Sequence, residues 1–310
     1  MIINSDELEN NNIFKADLCI AGSGPASLTI VKDMQQAGLN IIVLSGGEDK
    51  VTNKNQNLYK GFVKPKNSHE PLDRYRHRVF GGSGNFWGGR CVPLDEIDFK
   101  KRDWISHSGW PIKYSELKPY YKLASKLLKI LPFHTNSFSV QNYKKEIMKG
   151  FDNSYITSRK IESWSRVINF AREYKYLFLK KNITLLNNAH LIKINTSKNK
   201  VTSILAVSNN KKIIIKAANY VLACGGIENP RLLLTSRNKF YPKGIGNNHG
   251  IVGRFYMSHC SGVLVNVSLL HRKDLAYNFE QDLKKTYFRR RWWLNESAQK
   301  QKKIGNIIFF

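Results

Sequence analysis

The chain has 310 residues, of which 42% are hydrophobic, and this composition suits a globular protein with a sizeable core rather than a disordered chain. No apolar run approaches the roughly 20 uncharged residues that a membrane-spanning helix needs. The polar, acidic N-terminus lacks the basic start and apolar stretch of a secretory signal. We therefore expect a soluble, cytoplasmic protein.

The formal net charge of +27 is compatible with nucleic acid, an anionic membrane or acidic substrates as partners. Lysines are spread through almost every segment, whereas a functional basic surface should cluster its cations. The densest cluster is residues 289–293, which predicts either a surface for nucleic acid or membrane, or a surface segment with two half-buried tryptophans. We favour a composition-wide bias and expect neither nucleic acid nor membrane as a partner.

The first part of the chain predicts a βαβ unit. Residues 16–21 form an apolar run, residues 22–27 (GSGPAS) follow at once, and a stretch with helical spacing continues to Gly38. Residues 40–44 supply a second β-branched strand, which Ser45 and two glycines close. The order strand, glycine turn, helix, strand is typical of a nucleotide-binding fold.

The remaining segments alternate between loops and short elements. Residues 51–78 predict an extended loop, and residues 81–89 form a glycine cluster. Ser115 precedes a helical pattern and predicts a helix cap. Residues 182–223 contain short β-rich runs and predict an antiparallel meander whose last run, 220–223, returns to the parallel sheet.

Cysteine spacing gives no sign of a metal or redox site. The four cysteines are far apart, without a C-x-x-C pair, so we expect reduced, mostly buried thiols and no bound metal. They are Cys19, Cys91, Cys224 and Cys260.

The glycine turn after the first strand predicts a site for a dinucleotide. Gly22 permits the tight turn, Gly24 lets the backbone approach a pyrophosphate, and the helix that starts near Ala26 offers free N–H groups to the anion. Ser27 replaces the third glycine and is small enough for close packing. The alternative is a common turn without a ligand.

The end of the second strand departs from the usual pattern. An acidic side chain is expected there for the ribose hydroxyls, but this sequence has Ser45. Glu48 is a possible substitute, Ser45 could make a weaker neutral hydrogen bond, or residues 45–47 simply turn the chain.

Residues 78–98 (RVFGGSGNFWGGRCVPLDEID) resemble the flavin-contacting loop of the glucose-methanol-choline (GMC) oxidoreductases. Three further segments resemble the same family in the same order, namely residues 98–121, 218–236 and 244–259. In some relatives a histidine just before the tryptophan is bonded to the flavin, whereas this sequence has Phe86. The resemblance therefore implies noncovalent FAD.

The resemblance also implies a set of FAD-contacting residues. Gly22, Gly24, Ala26 and Ser45 are expected at the pyrophosphate and ribose; Gly81, Gly82, Ser83, Asn85, Phe86 and Trp87 near the flavin; and Leu191, Ala223 and Gly225 near the adenine side.

The implied fold class is α/β, a Rossmann-like FAD-binding domain with a parallel sheet and an inserted antiparallel β-meander, plus part of a second, substrate or cap domain. We expect residues 1–100 and 180–260 to form the FAD-binding domain. Residues 101–179 and 261–310 then form a helical cap and a partial substrate domain.

The implied activity is oxidation of a CH–OH group of a sugar, polyol or other alcohol, with hydride transfer to flavin N5. We assign no catalytic base: in the family that histidine lies in a later segment, so His259 is not assigned the role, and nothing after it resembles that segment. We therefore expect a truncated or split family member, inactive alone, with a separate C-terminal half as a candidate partner.

Two alternatives from other classes stay open. One is a basic protein on a degenerate dinucleotide fold that binds nucleic acid or an anionic surface. The other is NAD in place of FAD, which the glycine segment at Gly81 argues against.

Overall fold

The structure is a computed structural model that describes residues 1–133, 147–148, 153–259, 261–263, 265–266, 268 and 276–309. The chain divides into two compact units. The first unit comprises Met1–Trp87 and Asn169–Met257, and the second comprises Gly88–Ile168 and Ser258–Phe310. The assignment of such units to FAD binding and to a substrate-side cap stays a prediction.

The described strands and helices are numbered in chain order. The strands are β1 (Ile2–Asn4), β2 (Asn12–Ala21), β3 (Ile41–Leu44), β4 (Arg90–Cys91), β5 (Ile156–Thr157), β6 (Ile161–Trp164), β7 (Ile183–Asn187), β8 (His190–Thr196), β9 (Val201–Ser208), β10 (Lys211–Leu222), β11 (Glu280–Gln281), β12 (Tyr287–Arg290), β13 (Trp292–Leu294) and β14 (Ile308–Phe309). The α-helices are α1 (Pro25–Met34), α2 (Asn53–Gln56), α3 (Glu96–Phe99), α4 (Tyr114–Leu128), α5 (Phe170–Tyr174), α6 (Glu228–Thr235) and α7 (Glu296–Lys302).

The first unit is built on one seven-stranded sheet in the order β1-β7-β3-β2-β10-β9-β8. The five strands from β1 to β10 are parallel, and β9 and β8 extend the sheet as an antiparallel meander. All four residues of β3 are buried, as expected for a parallel strand that is covered on both faces. The α/β class predicted from the sequence is confirmed.

Two details of the predicted meander are wrong. Residues 183–187 were expected in it, but β7 is a parallel strand between β1 and β3. Its nearly continuous burial is the mark of a strand covered on both faces, whereas meander strands alternate. The runs 212–217 and 220–223 were expected to be separate, but β10 is one strand because it pairs with β2 along its length.

Helix ends also differ from the prediction. Helix α1 ends at Met34, before the predicted stop at Gly38. Ser115 does not cap α4, because the cap position is Lys113, and the carboxylate of Glu116 accepts a hydrogen bond from the Lys113 N–H at 2.6 Å. The acidic side chain at the third helical position thus satisfies a free backbone donor.

One hydrophobic core cluster of the first unit lies where the meander packs with α6, which contributes Leu232. Cys19 lies in this core, and burial raises its pKa to about 12. Burial raises the pKa of Cys91 and of Cys224 to about 11. All three thiols are free; Cys19 and Cys91 are buried, and Cys224 is partly exposed. Cys260 lies outside the described residues.

The described part of the chain contains no helix with the length and apolar character that a bilayer crossing requires. Within the same residues, no group of three or more histidine, cysteine or acidic side chains is placed to hold a metal ion.

The second unit contains a four-stranded sheet, β11-β12-β6-β4, and a three-stranded sheet, β14-β13-β5. Glu162 on β6 is fully buried. It pairs with Arg90, with Arg289 Nε at 2.9 Å and with Arg291 Nε at 3.9 Å. One carboxylate therefore compensates several guanidinium groups.

The arginine–tryptophan cluster at 289–293 is not a surface segment, so that prediction is wrong. Arg290 is 0% exposed and pairs with Glu280, Arg291 is 2% exposed, and Trp293 is 3% exposed. Arg290 lies on β12 and Trp293 on β13, and Arg291 connects the two strands. The cluster cannot serve as the basic face that the sequence suggested.

We predict that Glu162→Gln destabilises the second unit by about 3–5 kcal/mol, because it leaves buried guanidinium groups without a counter-charge. Urea unfolding followed by tryptophan fluorescence measures this, since five of the six tryptophans belong to this unit. The control is Glu96→Gln, which removes an exposed pair with Lys100. Equal effects of the two substitutions would contradict the prediction.

Candidate functional site

The turn after β2 brings two backbone segments into contact. Gly22 adopts φ of +102°, and a Cβ atom there would lie 2.3 Å from the carbonyl oxygen of Ala223. The Ala223 N–H donates to Ala21 O at 2.7 Å and holds the ends of β2 and β10 together. Only glycine fits this position, both for its dihedral angle and for the space available.

The start of α1 is open by contrast. Gly24 is the N-cap residue with ordinary extended φ and ψ, and a Cβ atom there would meet nothing within 4 Å. Pro25 occupies the first helical position, where a missing N–H costs nothing. Ala26 follows in the first turn, where N–H groups lack intrahelical partners. The space in front of this helix end is therefore suited to an anion.

The second glycine segment lies directly against the first. The Gly81 N–H donates to Ser23 O at 3.0 Å. A Cβ atom on Gly82 would be 3.3 Å from Gly24 Cα, and one on Gly84 would be 2.5 Å from Pro25 Cγ. Two segments more than fifty residues apart in the chain thus share one location, as the sequence predicted.

Asn85 is held within the protein. Its side-chain amide donates to Phe80 O at 2.7 Å, and its carbonyl oxygen accepts from the N–H of Ala171 on α5 at 3.0 Å. Gly81 is required beside it, because a Cβ atom there would lie 2.2 Å from Asn85 Oδ1. The asparagine therefore fixes the glycine segment to α5.

The remaining residues of this segment are more open. Ser83 is exposed, and its hydroxyl accepts from the His77 N–H at 3.1 Å. Phe86 is 55% exposed, with its ring 3.9 Å from that of His77. The Trp87 ring lies 5.9 Å from that of Phe170. Phe86 in particular leaves a flat apolar face available to a ligand.

Ser45 points into the protein. It is fully buried, and its hydroxyl accepts from Ser23 Oγ at 2.9 Å and donates to Gly47 O at 2.7 Å. Of the three alternatives for this position, the geometry favours a turn. Glu48 is exposed, and Oε1 of its carboxylate accepts from Asn188 Nδ2 at 2.6 Å.

Two of the three residues predicted on the adenine side lie at this edge of the sheet. Ala223 contacts the Gly22 turn, and Gly225, with φ of +88°, has open space where a Cβ atom would be. Leu191 is in a different setting, because it is 6% exposed and packs in the core cluster. All the predicted FAD-contacting residues belong to the first unit, and their contact with FAD stays a prediction.

Sequence reasoning assigned no role to Arg78, which lies at the same edge. A Cβ atom on Gly46 would be 2.9 Å from Arg78 Nε, so the side chain packs on the backbone that follows β3. Its guanidinium donates to His190 Nδ1 at 3.3–3.4 Å and lies 5.1 Å from the Tyr59 ring centroid. Arg78 opens the glycine motif, but no local pattern connects it with His190.

His190 is neutral at physiological pH. Burial, and next the Arg78 guanidinium, lower its pKa from 6.5 to about 4. Between these values the unfolded chain binds a proton that the folded chain does not, so stability is lost as pH falls through this window. At full burial the shift corresponds to about 3 kcal/mol, and the remaining solvent access of the ring reduces this.

We therefore expect the free energy of unfolding to fall from about pH 7 to about pH 5, and to fall less in His190→Asn. Urea denaturation at both pH values tests this, with His249→Asn as the control because His249 is exposed. Identical pH dependence in the three proteins would contradict the assignment.

We also predict that Gly22→Ala costs at least about 2 kcal/mol of stability, because it combines an unfavourable φ with a backbone clash. Gly38→Ala is the matched control: its φ is +70°, but its Cβ atom would meet nothing within 4 Å. Urea unfolding followed by circular dichroism should show a smaller loss for the control, about 1 kcal/mol.

The fold and the converging glycine segments define a dinucleotide-type α/β protein. Residues 168–260 match the model of the GMC oxidoreductase family. This part of the chain is therefore similar to the GMC oxidoreductases, a family whose members depend on FAD.

Individual relatives share low sequence identity with the chain. The 2-methyl-1,2-propanediol dehydrogenase of Mycolicibacterium austroafricanum is 23% identical over 320 residues, which cover 84% of this chain and 58% of that protein. The paromamine 6′-oxidase of Streptomyces fradiae is 23% identical over 213 residues, or 56% of this chain and 39% of that protein. A solved structure of pyridoxine 4-oxidase from Mesorbium loti aligns with 71% of this chain and 51% of that chain, at 16% identity and a TM-score of 0.46. The chain thus spans about half the length of the proteins it matches.

Proposed function

We propose that the first unit binds FAD noncovalently and that the protein oxidises a CH–OH group of an alcohol, polyol or sugar. The single observation that carries the proposal is the contact between the two glycine segments, through Gly81 N–H and Ser23 O at 3.0 Å. It supports FAD because a pyrophosphate site and a flavin site must lie close together to hold one cofactor.

The residues present fit such a cofactor. Gly24 leaves open space in front of the α1 N-terminus, where a pyrophosphate would be held by backbone N–H groups. Phe86 offers an exposed ring to the planar flavin, and as a phenylalanine it offers no nitrogen for a covalent bond. This supports noncovalent binding.

When bound, FAD supplies the hydride acceptor for alcohol oxidation. The chain's own residues in this site would bind and orient the cofactor, since the segments at Gly22 and Gly81 are joined by the hydrogen bond from Gly81 N–H to Ser23 O. We assign proton abstraction to no described residue.

The test is FAD binding by the purified chain. We expect the wild-type protein to bind FAD with a bound-flavin spectrum, and Gly24→Val to weaken binding by about 100-fold, because the new side chain fills the space in front of α1. Residue 24 has a φ of −80°, which valine adopts without strain, so the Gly24→Val variant should fold normally.

Gly305→Val is the matched control, because a Cβ atom there also meets nothing within 4 Å. Circular dichroism verifies the fold of both variants, and flavin fluorescence titration gives the affinities. No FAD binding by the wild type, or unchanged binding by the folded Gly24→Val, would overturn the proposal.

A further inference from the structure

The ribose end of the candidate site lacks the acidic side chain that such sites usually present. In Rossmann-like folds the side chain at the end of the second strand accepts hydrogen bonds from the adenosine ribose. Here that residue is Ser45, which is fully buried and whose hydroxyl is engaged by Ser23 and Gly47. It has no free hydrogen-bonding capacity directed out of the protein.

Arg78 lies where the ribose would be recognised. Its side chain packs on Gly46, the residue after Ser45, and a Cβ atom at Gly46 would be 2.9 Å from Nε and 3.2 Å from Cζ. The backbone of Arg78 is fixed as well: its N–H donates to Gln56 Oε1 at 3.2 Å, and a Cβ atom on Gly47 would be 2.3 Å from its carbonyl oxygen. The guanidinium is therefore held at the carboxyl end of β3.

The charge of this guanidinium is not compensated within the described part of the chain. No carboxylate among the described residues forms an ion pair with it, and its hydrogen-bond acceptor is His190, a neutral ring. The neighbouring Arg76 differs, because it pairs with Glu228 at 3.1 Å. An arginine held beside a nucleotide position with its charge available is suited to bind phosphate or ribose oxygens.

Two acidic side chains near this edge accept hydrogen bonds from other parts of the protein. Glu48 accepts from Asn188 at 2.6 Å. Asp6 accepts from Ser208 and has Lys54 at 3.7 Å. Neither side chain is among the nearest neighbours of Gly46, whereas the side chain of Arg78 packs against it.

We propose that Arg78 is the side chain that contacts the adenosine ribose, so that this end of the site is cationic and accepts a nucleotide bearing a 2′-phosphate. An acidic residue at this position rejects a 2′-phosphate by charge repulsion, whereas a nearby arginine accommodates it. The inference rests on the proposed function, because the ribose position is that of a dinucleotide bound at Gly22 and Gly24.

The experiment compares ADP-ribose with its 2′-phosphorylated derivative by isothermal titration calorimetry, alongside FAD. We expect the wild-type chain to bind the 2′-phosphorylated ligand about tenfold or more tightly, the scale of one charge-assisted hydrogen bond. This preference should shrink as salt is raised, a test that needs no substitution.

Arg78→Gln should abolish the preference and weaken FAD binding, and Arg78→Lys should retain part of the preference, since it keeps the charge without the fork of donors. The control is Arg74→Gln, in the same segment, whose exposed side chain pairs with Glu70. If Arg78→Gln does not fold, Arg78→Lys decides, because an unchanged preference in that variant overturns the role of Arg78.

The outcomes separate the two proposals. Tighter binding of ADP-ribose than of its 2′-phosphorylated derivative, equal binding, or a preference that survives in Arg78→Gln overturns the role of Arg78 while leaving FAD binding intact. An Arg78-dependent preference without FAD binding supports the inference and overturns the proposed function. Binding of none of the three ligands overturns both.

Discussion

The first unit depends on backbone approaches that a side chain would prevent. At Gly22 a Cβ atom would clash with the carbonyl oxygen of Ala223 at 2.3 Å, and at Gly82 it would lie in tight contact with Gly24 Cα at 3.3 Å. These contacts bring the ends of β2 and β10 and the start of α1 to one edge of the sheet. They create a surface made largely of backbone, which is the kind of surface that can approach a pyrophosphate closely.

Charge is organised very differently in the two units. The second unit buries Glu162 among several arginines, so cations that look like a basic surface in the sequence are structural. Burial of such a group is costly unless every charge is paired, which makes the single carboxylate decisive for that sheet. The net charge of +27 therefore gives no evidence for a basic binding face at residues 289–293.

The ribose end shows how a family resemblance and local chemistry can differ. The glycine segments resemble the family pattern, yet the end of β3 presents a buried serine with an arginine packed beside it. Hydrogen bonding of Ser45 to Ser23 stabilises the glycine turn from behind. The same bonds engage the Ser45 hydroxyl within the protein. This is why we proposed Arg78 as the side chain that contacts the ribose.

The sequence alone determined the order strand, glycine turn, helix, strand, the two glycine segments and the resemblance to the GMC oxidoreductases. These features depend on local dihedral needs and on periodicity, which are visible in neighbouring residues. Only the tertiary structure decided that β7 is parallel, that Arg290 and Arg291 are buried, and that Arg78 meets His190. Strand pairing, charge compensation and desolvation arise between residues far apart in the chain, so no local pattern encodes them.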